Sequence, residues 1–250
     1  MGNRVLTHTK PGLPATLPLV LLSAFFFASC SNDTTDPSEP RIGRVDFSSG
    51  QHGWTAGFAD YPVGEEASYE LKSDYRGLPA PLNTSQNALY ISGNNHSDDL
   101  FMYWKGQIVG LSPTTTYRTH FELEFATNVP SGCIGVSGSP GESVYVKAGT
   151  SDIEPEALDA GGFYQMNIDK GNQSTGGENA VVLGDVANSQ PCGGAVPQWE
   201  LKRLASNAEA VIVTTDDEGS VWLFMGTDSG FEATTSLYYT WLEVTFEPVP

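Results

Sequence analysis

The feature that most constrains this chain is a two-residue beat in its apolar side chains. In "TYRTHFELEFA", Tyr117, Thr119, Phe121, Leu123 and Phe125 fall on one side, and Arg118, His120, Glu122 and Glu124 fall on the other. Side chains alternate faces along a strand, so this pattern is a strand with one apolar and one polar face. "SLYYTWLEVTFE" repeats the beat: Tyr238, Leu242, Val244 and Phe246 share one parity, and Leu237, Tyr239, Trp241, Glu243 and Thr245 the other. Shorter strands are expected at "RVDF", "GWTAGFA", "ASYELKS", "ALYIS", "DLFMYWKGQI", "SVYVKAG", "FYQMNID", "AVVLGDV", "QWELKRL", "EAVIVTT" and "SVWLFMG", parted by turn-rich pieces such as "GLSPTT", "SGSPGES" and "DKGNQSTGGEN". Only "SDIEPEALDAG" suggests a helical turn. Many short strands with no strand–helix alternation predict an all-β fold, an antiparallel β-sandwich of jelly-roll type.

The strands begin near Arg41, and what precedes them reads as an address. "MGNRVLTHTK" carries Arg4 and Lys10 and no acid, and "LPLVLLSAFFFAS" is an apolar run ending in small residues. That is the layout of a secretory leader over residues 1–29, too short for a membrane span. Phe27-Ala28-Ser29-Cys30 resembles a bacterial lipobox, with Phe27 where leucine is usual, and the resemblance implies that Cys30 is lipidated. An ordinary leader cut nearby would leave Cys30 a plain thiol. Residues 30–40, "CSNDTTDPSEP", then form a polar tether, and 41–250 a single β-sandwich domain. The expected location is the bacterial cell envelope, as an outer-membrane lipoprotein.

Charge and cysteine usage suit that address. The chain carries 30 acidic and 12 basic residues, a formal net charge of −18, and loss of the leader with Arg4 and Lys10 makes it more negative still. So acidic a surface repels a phosphate backbone, which argues against nucleic acid as a partner. With Cys30 taken by lipid, Cys133 and Cys192 remain as an even pair in an oxidising compartment, and a disulfide between them is expected.

Three stretches carry a resemblance. "DFSSGQHGWTAGF" resembles the opening of galactose-binding-like jelly rolls, "GLSPTTTYRTHFELEF" their central strand and "GTDSGFEATTSLYYTWLEVTF" their closing hairpin. "NHSDDLFM", "SPGESVYVKAG" and "MNIDKGNQ" resemble segments of bacterial secreted lipoproteins. The resemblance implies a carbohydrate-binding jelly roll with a structural Ca²⁺, and it implies no reaction.

Among the residues themselves, "SGNNHSDDLFMYW" concentrates polar groups before an apolar run. Asn94, Asn95, Asp98 and Asp99 are oxygen donors of the kind calcium takes, with Asp46 or Asp169 as ligands from elsewhere. The competing reading is a turn shaped by Asn and Asp bonding their own backbone. His96 has no second histidine at zinc spacing. The row His120, Glu122, Glu124 offers a general acid and base for a polysaccharide-active enzyme, or the solvated face of a strand. Aromatic rings are the stronger lead, because flat rings stack on pyranose faces. Trp222 lies opposite Val221, Leu223 and Met225, and Tyr239 and Trp241 lie opposite Leu242 and Val244. If the aliphatic sets face the core, Trp222, Tyr239 and Trp241 line an outer surface that Tyr103 or Trp104 extends. The alternative is that both strand faces are covered. The leading expectation is therefore a lipid-anchored, non-catalytic module binding an oligo- or polysaccharide. An enzyme and an envelope structural or adhesion protein are the alternatives.

Overall fold

The computed structural model describes residues 39–194 and 196–250. The leader, Cys30 and all of the tether but its last two residues lie outside the described residues. Fifteen strands follow one another: β1 (Arg41–Asp46), β2 (Thr55–Ala59), β3 (Tyr61–Pro62), β4 (Lys72–Gly77), β5 (Asn87–Asn94), β6 (Leu100–Ile108), β7 (Thr116–Thr127) and β8 (Val144–Ser151). The second half holds β9 (Ala157–Asp159), β10 (Phe163–Met166), β11 (Ala180–Asp185), β12 (Glu200–Ala205), β13 (Val211–Thr214), β14 (Val221–Ser229) and β15 (Thr234–Pro248). The expected helical turn in "SDIEPEALDAG" is instead β9, which pairs with β10. The helical element among the described residues is a single 3₁₀ turn, Phe47–Ser49, and no helix there is long and apolar enough to cross a membrane.

The strands build two main antiparallel sheets. The first, sheet A, runs β12-β7-β15-β5-β4, with β1 on the far half of β15 and β13 on the near half of β7. The second, sheet B, runs β11-β8-β14-β6-β2. From β5 to β8 the chain alternates between the two sheets at every step, and β14 to β15 does so again, which is jelly-roll winding. A third, three-stranded sheet, β3-β10-β9, lies apart from both.

The alternation of β7 is obeyed to the letter: Tyr117, Phe121, Leu123 and Phe125 are buried between the sheets. They meet Leu89 and Ile91 of β5, Met102 and Trp104 of β6, and Leu223 and Met225 of β14 in one core. Trp54, fully enclosed, packs edge-on against Phe47 of the 3₁₀ turn at 5.3 Å between ring centres. Each such ring removed from water stabilises the fold by roughly 1.5–3 kcal/mol. Cys133 and Cys192 form the expected disulfide, closing a separation of 59 residues between two loops.

One local irregularity decides where β15 points its rings. The register against β7 slips between Tyr239 and Trp241, a β-bulge at Thr240. A bulge adds one residue to one strand and so reverses the parity beyond it. Leu237 and Tyr239 before the bulge face the inter-sheet core, and so do Leu242, Val244 and Phe246 after it. Tyr238 and Trp241 are therefore the outward rings. Thr240 secures the bulge, its hydroxyl donating to the Glu124 carbonyl at 3.0 Å and to Glu124 Oε1 at 2.9 Å.

Candidate functional site

The ring-lined surface expected from sequence does not form as one surface. Tyr239 is fully buried between the sheets, with its hydroxyl unbonded among the described residues. Trp104 lies in the same core, with its indole N–H also unbonded. Tyr103 does point off that core, but into a second one with Phe101, Phe224, Ala59, Ile168 and Ala180 on the outer face of sheet B. Met166 of β10 and Ala157 of β9 pack against it, so the small sheet roofs that face. Burial raises the phenol pKa of both Tyr103 and Tyr239 above the ordinary range. Trp222 is half-buried on β14 with Lys105 Nζ 5.8 Å from its ring. Trp241 stands on the opposite side of the sandwich, outward from sheet A.

Trp241 is itself buried, 6% exposed, beneath two arginines on the outer face of sheet A. The Arg44 guanidinium lies 4.0 Å from the ring centre and that of Arg203 5.3 Å from it. Each arginine is held by a glutamate: Arg44 Nη1 donates to Glu243 Oε2 at 3.2 Å, and Arg203 Nε donates to Glu124 Oε2 at 2.8 Å. Further along the same strands, His120, Glu122, Ser206, Glu243 and Thr245 line a groove of about 190 Å³. The strand registers explain the grouping, since Glu122 pairs with Glu243 and His120 with Thr245 across β7 and β15. His120 Nε2 lies 3.8 Å from Glu247 Oε2. The Glu122 carboxylate makes no hydrogen bond or ion pair among the described residues. Of the row singled out by spacing, His120 and Glu122 thus share a groove. Glu124 is buried beside it and spent on Arg203 and Thr240. Two rings missed by sequence, Tyr90 and Tyr238, pack at 4.8 Å on the same sheet face, with the Arg76 guanidinium 3.5 Å over Tyr90.

The polar opening loop divides in the structure. Asn95 is a brace: Nδ2 donates to the Ser229 carbonyl at 2.7 Å and the Phe231 carbonyl at 3.0 Å, while Oδ1 accepts from Ser97 N. Asn94 ends β5, and its backbone N–H donates to the Tyr69 carbonyl. His96 bonds the Ser68 carbonyl through Nε2 at 3.2 Å, which requires the proton on that nitrogen. Asp98 is exposed in a left-handed conformation, φ 57°, and its carbonyl accepts from Gln173 Nε2. Asp46 caps the 3₁₀ turn, and Asp169 accepts from the Gly171 and Glu178 amides. The Asn95, Asp46 and Asp169 side chains serve the backbone, and of the expected ligand set Asn94, Asn95, Asp98 and Asp99 only Asp99 joins a cluster of acids.

Asp99 meets Asp60, just past β2, and Asp228 of β14, with one carboxylate oxygen of each within 4.8 Å of the others. This acidic triad has the geometry to hold a metal ion. Asp228 Oδ2 accepts from Lys147 Nζ and Lys170 Nζ, both at 2.8 Å, and from the Gln173 amide at 2.9 Å. Lys147, wholly enclosed on β8, also donates to the carbonyls of Lys170 and Thr175. Lys170 reaches Asp60 Oδ2 at 2.9 Å. Burial would raise the Asp228 carboxyl, but Lys170 and Lys147 outweigh it and hold the group below the usual range. At Asp99 the balance goes the other way: burial, then the Asp228 carboxylate, outweigh the pull of Lys170 and push it up to about 7. Burial raises Asp60 and lowers Lys147, while the Asp228 and Asp60 carboxylates overcome burial to raise Lys170.

No family model matches the chain, and no curated protein matches it. Among solved structures it is similar to the enzymatically active domain of tailspike protein 4 of bacteriophage CBA120, at 10% identity and TM-score 0.33, over 78% of this chain and 19% of that one. It is similar to the K1 cleaved adhesin domain of Lys-gingipain from Porphyromonas gingivalis, at 10% identity and TM-score 0.35, over 82% and 97% of the two chains. It is also similar to CBM27-1 of Caldicellulosiruptor saccharolyticus, solved with mannohexaose, at 10% identity and TM-score 0.34, over 82% and 96%.

Proposed function

We propose that the protein is a carbohydrate-binding module whose ligand lies on the outer face of sheet A. The observation that carries the reading is the groove of about 190 Å³ lined by His120, Glu122, Ser206, Glu243 and Thr245. It is smaller than the roughly 300–1,000 Å³ typical of drug-sized ligands, so it suits one sugar unit of a longer chain. Its lining is dense in hydrogen-bonding groups, and the Glu122 carboxylate is free to accept from sugar hydroxyls. Trp241 sits one register row away, buried beneath Arg44 and Arg203, and its ring becomes a stacking surface when both side chains swing aside. By contrast, the outer face of sheet B is occupied by protein.

The envelope address supports the same reading. We propose that Cys30 carries lipid and that the tether to Arg41 holds the domain off the outer membrane, where glycans are encountered. Metabolic labelling with a fatty-acid probe tests it: wild type takes the label and Cys30→Ser does not.

The binding test is calorimetry of the mature domain against plant, algal and host oligosaccharides. Binding is expected to weaken at least tenfold in His120→Ala and in Glu243→Gln with the melting temperature kept. No binding to any glycan, or binding untouched by both changes, overturns the reading. His120 and Glu122 in one groove also support a second reading, a polysaccharide-active enzyme using them as acid and base. Depolymerisation that vanishes in His120→Ala would favour it.

A further inference from the structure

The triad under the small sheet stands apart from the glycan groove, on the opposite face of the sandwich. Its charges do not cancel. Asp60, Asp99 and Asp228 bring three carboxylates, and Lys147 and Lys170 bring two ammoniums, of which Lys147 and Asp228 are wholly enclosed. With all three carboxylates ionised, one negative charge is left over where water is scarce, and an uncompensated buried charge is strongly destabilising.

The hydrogen bonds show on which side the deficit lies. Asp228 Oδ2 takes three donors, whereas Asp228 Oδ1 is buried with none. Asp99 Oδ1 is likewise buried with no donor, and Asp60 Oδ2 touches Lys170 Nζ without hydrogen-bond geometry. Lys147 is therefore committed to one oxygen of Asp228, Lys170 is shared between that oxygen and Asp60, and Asp228 Oδ1 is left without a donor. Three carboxylates from three separate chain segments converge there, with Lys170 Nζ, 2.9 Å from Asp60 Oδ2, at their edge and no donor on Asp99 Oδ1 or Asp228 Oδ1.

We propose that these three carboxylates hold one hard, singly charged cation of the sodium type. Hard cations take oxygen ligands, and Asp60, Asp99 and Asp228 supply only those. The charge of the ion follows from the count: one positive charge brings the five groups to neutrality, whereas a divalent ion would leave a buried excess beside two ammoniums. Asp60 and Asp99 are not fully enclosed, so water can complete the coordination from that side. The ion would tie the loop before β6 to β14, alongside the Gln173 bond to Asp98.

The test is thermal unfolding of the mature domain at pH 8 in sodium chloride, in N-methylglucamine chloride and in calcium chloride, at matched ionic strength. Sodium is expected to raise the melting temperature by roughly 3 °C or more over N-methylglucamine. Calcium at equal free concentration should add nothing to that. Asp99→Asn, in a partly exposed loop, should fold and lose the sodium response. Asp60→Asn provides a second such variant, and Asp217→Asn on a distant turn should keep the response. Equal melting temperatures in all three salts, or a sodium response that survives in both Asp99→Asn and Asp60→Asn, would overturn the proposal. A rise with calcium alone would overturn the single charge.

Discussion

The two outer faces of this sandwich start from the same strand grammar and end as opposites. On sheet A, the off-core rings Tyr90, Tyr238 and Trp241 are buried under arginines and Trp199, while His120, Glu122 and Glu243 beside them line a groove open to solvent. On sheet B, the off-core side chains of β6 and β14 meet β9, β10 and the loop leading to β11. There Phe101, Tyr103 and Phe224 pack as a second core, and Asp228 is sealed with two lysines. Alternation tells which residues leave the inter-sheet core. Whether they reach water depends on a cover supplied from elsewhere in the chain.

The contrast can be broken at its charged residues. Lys147→Ala strips Asp228 of an enclosed partner and should cost about 3–5 kcal/mol. Glu122→Ala on the open face should stay within about 0.5 kcal/mol of wild type. Urea denaturation of both variants measures the gap, and equal midpoints would erase the distinction between the faces. Removing the Cys133–Cys192 bridge by a double serine change should cost about 2–4 kcal/mol, read the same way, because it frees a long loop in the unfolded chain.

The next effect in size is a pH dependence. Asp99 is raised from an unfolded value of 3.8 to about 7 in the folded protein. The folded state therefore holds a proton that the unfolded state has given up between those values. Its stabilisation is full below about pH 4 and is lost as pH rises through about 7. In sodium-free buffer, wild type should lose stability across that window, and Asp99→Asn should show a flatter profile. The smallest effect separates two neighbours on β15. Tyr239→Phe removes a buried hydroxyl that has no partner among the described residues and should gain about 1 kcal/mol. Glycan affinity should be unchanged in that variant, while Trp241→Ala should weaken it.

Much of the fold was legible because local signals agreed. The β7 beat, the cysteine pairing and the sandwich class all follow from neighbouring residues or from simple counting. The candidate site was half legible. His120 and Glu122 belong together at i and i+2, but Glu243 reaches them only through the β7–β15 register. Tyr239 and Trp241 share a parity in sequence and part company in space because a single bulge at Thr240 reverses the strand. Nothing in "YYTWLE" announces that bulge, which is secured by Glu124 from another strand. The charged triad was hidden for the same reason. Asp60, Asp99 and Asp228 lie far apart in the chain, and Lys147 in "SVYVKAG" reads as a solvated strand position. Of the Asn-rich loop, Asp99 alone joins the acidic triad, while the Asn95 side chain braces the backbone.

The most direct measurement is a backbone amide NMR titration of the mature domain with the tightest-binding oligosaccharide. Shifts are expected to cluster at His120, Glu122, Ser206, Glu243 and Thr245, spreading to Trp241, with Asp99, Lys170 and Asp228 silent. Shifts centred on the sheet B face, or none at all, would contradict that expectation.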